Sequence, residues 1–272
     1  MANEFPQAVT IAGSDSDGSA GMQADLHTFF RRKVYGASIL LACVAGNSYG
    51  IHAAVDLPED FIDTEFKALA DDYKIRAAKT GMISDSKIIR NVIRNYKKYD
   101  FGPLVVDPVI TTKHGNVLLE KEAYKTLRDE LIPLATVITP NFFEAQKLAE
   151  MDIKSKDDYV TAAKKLQSLG AKNVVLKGSH DDPKQTTVSD YILLESGKGF
   201  WLTGKFFDTE RKNGTGDSLS ACIAAELAKG KDVETAARIA KKFVDAAIED
   251  QLPVAHKVGP INHWAPADDI EP

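Results

Sequence analysis

The chain has 272 residues, of which 44% are hydrophobic and 27% charged, and it carries a net charge of -5. That length can bury a substantial core, and residues 1–265 are expected to form one domain followed by a polar tail at 266–272. The acidic balance argues against a nucleic-acid or anionic-membrane partner, and the longest apolar run, Ala37 to Ala45, is too short to span a bilayer. Glu4 sits where a basic, apolar leader would otherwise lie, so a cytoplasmic location is expected.

Short apolar runs at Ala8 to Ala12, Ser38 to Ala45, Ala77 to Met82, Leu104 to Val109, Val137 to Thr139 and Val174 to Lys177 read as buried strands. Helical spacing lies between them. Ile88, Ile89, Val92, Ile93 and Tyr96 share one face of Asp85 to Tyr96, and Tyr159, Ala163 and Leu166 share one face of Lys156 to Leu169. Asp217 to Lys229 and Val233 to Ile248 complete the helical pattern. Ser189 to Thr203, with Ser196-Gly197 and Gly199 between apolar stretches, reads as a hairpin at a sheet edge. This alternation predicts an α/β fold built of βαβ units, with a mainly parallel sheet covered on both faces. The two cysteines, Cys43 and Cys222, are expected in the core rather than in a disulfide or metal cluster.

In open parallel sheets ligands bind beyond the carboxyl ends of the strands. Polar, Gly or Pro residues stand at those ends: Gly13-Ser14-Asp15, Gly46-Asn47, Thr80-Gly81-Met82, Asp107-Pro108, Pro140-Asn141 and Lys177-Gly178. One continuous cleft is expected there. The turn Gly214-Thr215-Gly216 opens a helix, so its backbone N–H groups and the positive end of the helix dipole suit an anion. Asp217 beside that spot has the chemistry to take a proton from an attacking hydroxyl, and equally that of an ordinary acid in a first turn. Asn141 and Glu144 face one side of a first turn, where oxygen ligands suit Mg²⁺; the same spacing is that of a capping box. Asp107 adds a second carboxylate. Lys177 ends an apolar strand, where an ammonium needs an anion; Lys241, beside Lys242 on a helix, reads equally well as a solvated side chain.

The motifs Ala12-Gly13-Ser14-Asp15, Gly21-Met22-Gln23-Ala24-Asp25, Lys79-Thr80-Gly81-Met82, Val106-Asp107-Pro108-Val109, Thr139-Pro140-Asn141-Phe142-Phe143-Glu144, Lys177-Gly178 and Gly214-Thr215-Gly216 occur in this order. The chain resembles the phosphomethylpyrimidine kinase branch of the ribokinase-like superfamily over nearly its whole length. That resemblance implies a three-layer αβα fold, ATP and Mg²⁺ over the strand ends, a small heteroaromatic alcohol deeper in the cleft, and a homodimer. It implies an anion hole at Gly214, Thr215 and Gly216 with Asp217 as base. ATP contacts would come from Asn141, Lys177, Thr215 and Lys241, and metal contacts from Asp107 and Glu144. Gly13, Asp25, Gly46, Asn47, His52, Met82 and Val109 would line the alcohol site.

Three positions depart from the common pattern of that branch. Asp217 stands where many members carry cysteine, Asn213 replaces the usual His, and Gly46 replaces the Gln whose amide can pair with an aminopyrimidine. The missing amide, together with His52 and the run Ala135 to Ala145, is similar to bacterial pyridoxal kinases. A kinase acting on the 5'-hydroxymethyl group of pyridoxal, pyridoxine or pyridoxamine is therefore expected. A hydroxymethylpyrimidine kinase of thiamine synthesis and a non-catalytic pyridoxal-binding sensor are the alternatives. The segments Gly46 to His52 and Thr111 to Asn116, with Lys113 and Gly115, are candidates for elements that close over the substrate.

Overall fold

Alternation of side chains along the strands organises the molecule. In this computed structural model, which describes residues 3–110, 119–180 and 184–265, Val9, Ile11, Ile39, Leu41, Ala78, Leu104, Val106, Ile138, Val174 and Leu176 point to one face of the sheet. Ala8, Ala77, Val105, Val137 and Val175 point to the other. A strand buried on both faces reads as a continuous apolar run, which is why the sequence shows runs rather than polar alternation.

Among the described residues the sheet has nine strands in the order β3-β2-β1-β4-β5-β6-β7-β8-β9: β1 Gln7–Asp15, β2 Tyr35–Asn47, β3 Gly50–Asp56, β4 Ala77–Thr80, β5 Leu104–Val106, β6 Val137–Ile138, β7 Asn173–Leu176, β8 Thr187–Leu193 and β9 Gly199–Lys205. The pairs from β2 through β7 are parallel, and β3, β8 and β9 add antiparallel edges. Helices α2 Glu59–Asp72, α3 Ser86–Lys98, α4 Lys121–Thr126, α5 Phe142–Ala149 and α6 Lys156–Ser168 lie along the chain between strands, and residues of this group fill the first core. Helices α1 Gly21–Arg31, α7 Thr215–Ala228 and α8 Val233–Glu249 close over the second. This is the three-layer αβα arrangement expected from the sequence.

Local chemistry sets the helix starts. The Asp85 side chain accepts from the Ile88 N–H at 2.8 Å, Ser155 and Asp158 form a capping box, and the Asp232 side chain accepts from Thr235 N–H at 2.7 Å. The predicted edge hairpin is β8 and β9, paired from Thr187–Lys205 to Leu193–Gly199.

Two expectations are corrected. Cys43 is exposed, because β2 runs past the covered part of the sheet and pairs there with β3, whose residues are all exposed; Cys222 is buried in α7 as expected. The segment Gly46 to His52 is not an open loop: Gly46 and Asn47 end β2, His52 lies in β3, and only a short turn joins them. The segment Thr111 to Asn116 and the tail 266–272 lie outside the described residues.

Candidate active site

The parallel strands deliver their carboxyl ends to the N-terminus of α7. Gly214 caps that helix in the left-handed region at φ 78°, and a Cβ there would run into the Ser19 carbonyl oxygen, so glycine is required for both reasons. The Thr215 hydroxyl donates to the Lys212 carbonyl oxygen at 2.6 Å and fixes the turn. A Cβ on Gly216 would lie 3.3 Å from Lys177 Nζ and 3.6 Å from Asp107 Oδ2, which shows how closely the ends of β7 and β5 approach the first turn. Helix dipole, unpaired N–H groups and one ammonium thus meet at one point.

Lys177 donates to Asp107 Oδ1 at 3.2 Å, and the Thr139 hydroxyl donates to the same oxygen at 2.9 Å. Burial works against the Lys177 ammonium, but the Asp107 and Glu144 carboxylates outweigh it and hold its pKa above the ordinary lysine value. Glu144 is buried, and its two oxygens accept from the Ile110 N–H at 3.1 Å and the Asn141 N–H at 2.8 Å. Asn141 Oδ1 accepts from Glu144 N–H at 2.9 Å, so the capping box read from the sequence is present. Burial, only partly offset by Lys177, pushes the Glu144 carboxyl up to about 7.

Lys241 is tethered on the opposite wall, 3.1 Å from Asp245 Oδ1 and 3.5 Å from Asp190 Oδ2. It lines the same cleft as Lys177 and Thr215. The cleft also holds Lys205 and Lys212, and an apolar slot of Val188, Leu219, Val244 and Ile248. Four lysines, one of them paired with Asp190 and Asp245, together with an apolar patch in one cleft suit a polyanion joined to a flat ring. The reading of the sequence missed Lys205, Lys212 and the slot. Lys212 adjoins the Gly-Thr-Gly turn and was findable, whereas Val244 and Ile248 look like any core face of an amphipathic helix.

Across the sheet, a Cβ on Gly13 would touch the Met82 methyl at 3.7 Å and the Ala42 carbonyl at 3.6 Å, so these residues form one wall. Val109 is half-buried, next to Asp107, whose carbonyl accepts its N–H at 2.9 Å. Ser16 Oγ bonds both Gly46 N–H and Gly46 carbonyl at 2.9 Å, tying the hairpin to the loop after β1. Asn47 and His52 are exposed on that hairpin.

Asp25 is placed differently from the expectation. It is fully buried, with its oxygens 2.8 Å from Lys79 Nζ and the Thr10 hydroxyl donating to Oδ2 at 2.5 Å, so it lies beneath the cleft and not on its surface. Lys79 in turn reaches Asp217 Oδ1 at 3.3 Å. Asp217 keeps partial exposure at the cleft, with 19% of its side chain accessible.

No three His, Cys, Asp or Glu side chains converge into a metal cage among the described residues. The donor set at Asp107 and Glu144 is instead two hard carboxylates beside an anion-binding turn. That set fits Mg²⁺, which is commonly held by one or two carboxylates, water and substrate phosphates.

The comparisons with known proteins agree with this geometry. Residues 15–262 match the model of the phosphomethylpyrimidine kinase family. The chain belongs to that family. It is 42% identical over 260 residues to the hydroxymethylpyrimidine/phosphomethylpyrimidine kinase of Haemophilus influenzae, covering 95% of this chain and 97% of the relative. It is 40% identical over 263 residues to the pyridoxine kinase of Bacillus subtilis, covering 95% and 96%. Among solved structures, an ADP complex of Bacillus subtilis pyridoxal kinase superposes with a TM-score of 0.88 at 38% identity, covering 96% of this chain and 98% of that one. The protein is therefore a kinase of ribokinase-like fold that uses ATP, and no helix among its described residues is long and apolar enough to cross a membrane.

Proposed function

We propose that this kinase transfers the γ-phosphoryl group of ATP to the 5'-hydroxymethyl group of pyridoxal, pyridoxine or pyridoxamine. The observation that carries the substrate reading is Gly46, half-buried at the end of β2 with its backbone held by Ser16 of the loop after β1, which presents no side-chain amide to an aminopyrimidine. A ring amine left without a partner loses binding energy, so the amide-free rim favours a pyridine ring. The 40% identical pyridoxine kinase supports this reading. A second reading, phosphorylation of hydroxymethylpyrimidine or its monophosphate, is favoured by the 42% identical relative from Haemophilus influenzae and acts through the same site.

Asp217 accepts the proton of the acceptor hydroxyl as its oxygen attacks the γ-phosphorus and the bond to the β-phosphate oxygen breaks, releasing ADP. The N–H groups of the Gly214-Thr215-Gly216 turn stabilise the charge that develops on the transferring group. Lys177, Lys241 and Asn141 bind and orient the nucleotide phosphates. Asp107 and Glu144 would hold Mg²⁺, which when bound neutralises phosphate charge. Gly13, Met82 and Val109 line the alcohol site, with Gly46, Asn47 and His52 at its rim. The working unit is taken to be one domain over 1–265 and a homodimer, with exposed Ile51 and Val55 of β3 in support. An ATP-consuming salvage reaction also suits the cytoplasm.

The test is kcat/KM for pyridoxal, pyridoxine, pyridoxamine and hydroxymethylpyrimidine with ATP and Mg²⁺. A pyridoxal-type vitamer at least about tenfold above hydroxymethylpyrimidine is expected, since one unmatched polar group costs that much or more. The reverse order would assign the protein to thiamine synthesis.

A further inference from the structure

Lys79 is the one charged residue among those that β4 turns toward the layer of α1, α7 and α8. Its register partners on that face are Thr10 of β1 and Val105 of β5, and around them Ala8, Ala77 and Val137 are apolar. A fully buried ammonium is costly unless acids meet it. Here two of the covering helices supply one each: Asp25 from α1 at 2.8 Å to both oxygens, and Asp217 from α7 at 3.3 Å. The Thr10 hydroxyl holds Asp25 from behind at 2.5 Å. A Cβ on Gly81 would stand 3.1 Å from Nζ and 3.0 Å from the Ala12 methyl, so the space for the ammonium is closely fitted.

The arrangement is graded. Side-chain accessibility is 0% at Lys79, 0% at Asp25 and 19% at Asp217, so only the last member of the row reaches the cleft. If Lys79 existed only to neutralise Asp25, its contact with Asp217 would be unnecessary. Burial opposes the ammonium, but Asp25, then Asp217 and Asp107, outweigh it and keep Lys79 charged. Lys177 and His263 also lie within electrostatic range of Asp217. Lys177, however, hydrogen-bonds Asp107, and His263 Nε2 shares a hydrogen bond with Ser218 Oγ. Lys79 is the cation that contacts Asp217 among the described residues.

We propose that Lys79 is a positioning residue: its buried ammonium, anchored by Asp25 and Thr10, holds the Asp217 carboxylate aimed into the cleft for proton removal from the acceptor alcohol. Asp25 is then an anchor for the ammonium and not a ligand of the substrate ring. This rests on Asp217 acting as the base.

The test compares the wild type with Asp25→Asn, the double variant Asp25→Asn/Lys79→Met, and Asp217→Asn. Steady-state kcat and KM for the alcohol are measured, together with the Kd of a fluorescent ATP analogue and the thermal unfolding of each protein. The double variant removes cation and anchor together and leaves no buried charge stranded. Its kcat is expected to fall about thirtyfold or more, with KM and Kd within about threefold of wild type, as suits loss of aim alone. Asp25→Asn, which weakens the anchor but keeps the ammonium beside Asp217, should lower kcat less than the double variant does. A double variant with wild-type kcat, or an Asp25→Asn variant as slow as the double, would overturn the proposal. So would a parallel loss of nucleotide affinity. Should the double variant not fold, Asp25→Asn/Lys79→Gln, whose neutral amides can bond each other and strand no buried charge, replaces it with the same criteria. Substantial turnover by Asp217→Asn would instead overturn the reading of the base, and the two failures are thereby kept apart.

Discussion

At the residue scale, the chemistry divides between a carboxylate that reaches the cleft and cations that surround it. Asp217→Asn keeps size and polarity but cannot take a proton, so kcat should fall by about a hundredfold to ten-thousandfold with nucleotide Kd little changed. Lys177→Met removes the ammonium that both faces the anion-binding turn and pairs with buried Asp107. Its kcat/KM for ATP should drop on the order of a hundredfold, read from initial rates. Much of this was legible in the sequence. Glycines at 214 and 216, the acid that follows them and a lysine ending an apolar strand are residue types that a packed core excludes. Asp25 was legible as a special position but not in its role, because the cation that claims it lies 54 residues away on β4. Only the sheet register, which sets Thr10 opposite Lys79, brings them together.

At the element scale, α5 and α7 carry the site on their N-termini, and their capping chemistry is part of how they do so. Asn141→Ala removes a cap and should cost about 1 kcal/mol in urea unfolding. The proposed nucleotide role adds a fall in kcat/KM for ATP; a stability loss without that fall would leave Asn141 a cap alone. Gly214→Ala puts a Cβ where the Ser19 carbonyl stands and forces a left-handed φ on alanine. A lowered Tm and loss of turnover are expected together, since the turn that positions α7 is also the proposed anion hole. The helices themselves were plain from periodicity. The β2–β3 hairpin was not: Gly46 to His52 contains turn residues, and β3 has no buried face to give its sequence a period. The exposed Cys43 follows from the same cause, because apolar composition alone does not say where a strand leaves its covering layer.

At the scale of the whole molecule, the C-terminal segment returns to the site and couples its stability to pH. His263 shares a hydrogen bond with Ser218, next to the proposed base, and stacks edge-on with His27 at 5.4 Å. Burial, reinforced by His27, lowers its pKa to about 4. The native protein therefore keeps His263 neutral where the unfolded chain would bind a proton. Stability contributed by this depressed pKa is present above about 6.5, is lost as pH falls toward 4, and amounts to at most roughly 3 kcal/mol. Replacement by Gln should flatten the fall of Tm between those pH values; an unchanged slope would show that other groups carry it. Nothing in the sequence near His263 signals this, since a lone histidine close to a polar tail gives no hint that it packs beneath α7.

Asp217 is proposed to remove the proton from a hydroxymethyl group held at the α7 N-terminus. The most direct measurement follows ATP, ADP and the phosphorylated alcohol by ³¹P NMR, with pyridoxal and hydroxymethylpyrimidine in separate reactions, for wild type and Asp217→Asn. The expected result is stoichiometric ADP and phosphate ester from wild type, and intact ATP from a variant that still binds the nucleotide. Phosphate ester formed by Asp217→Asn at a rate near that of wild type would contradict it.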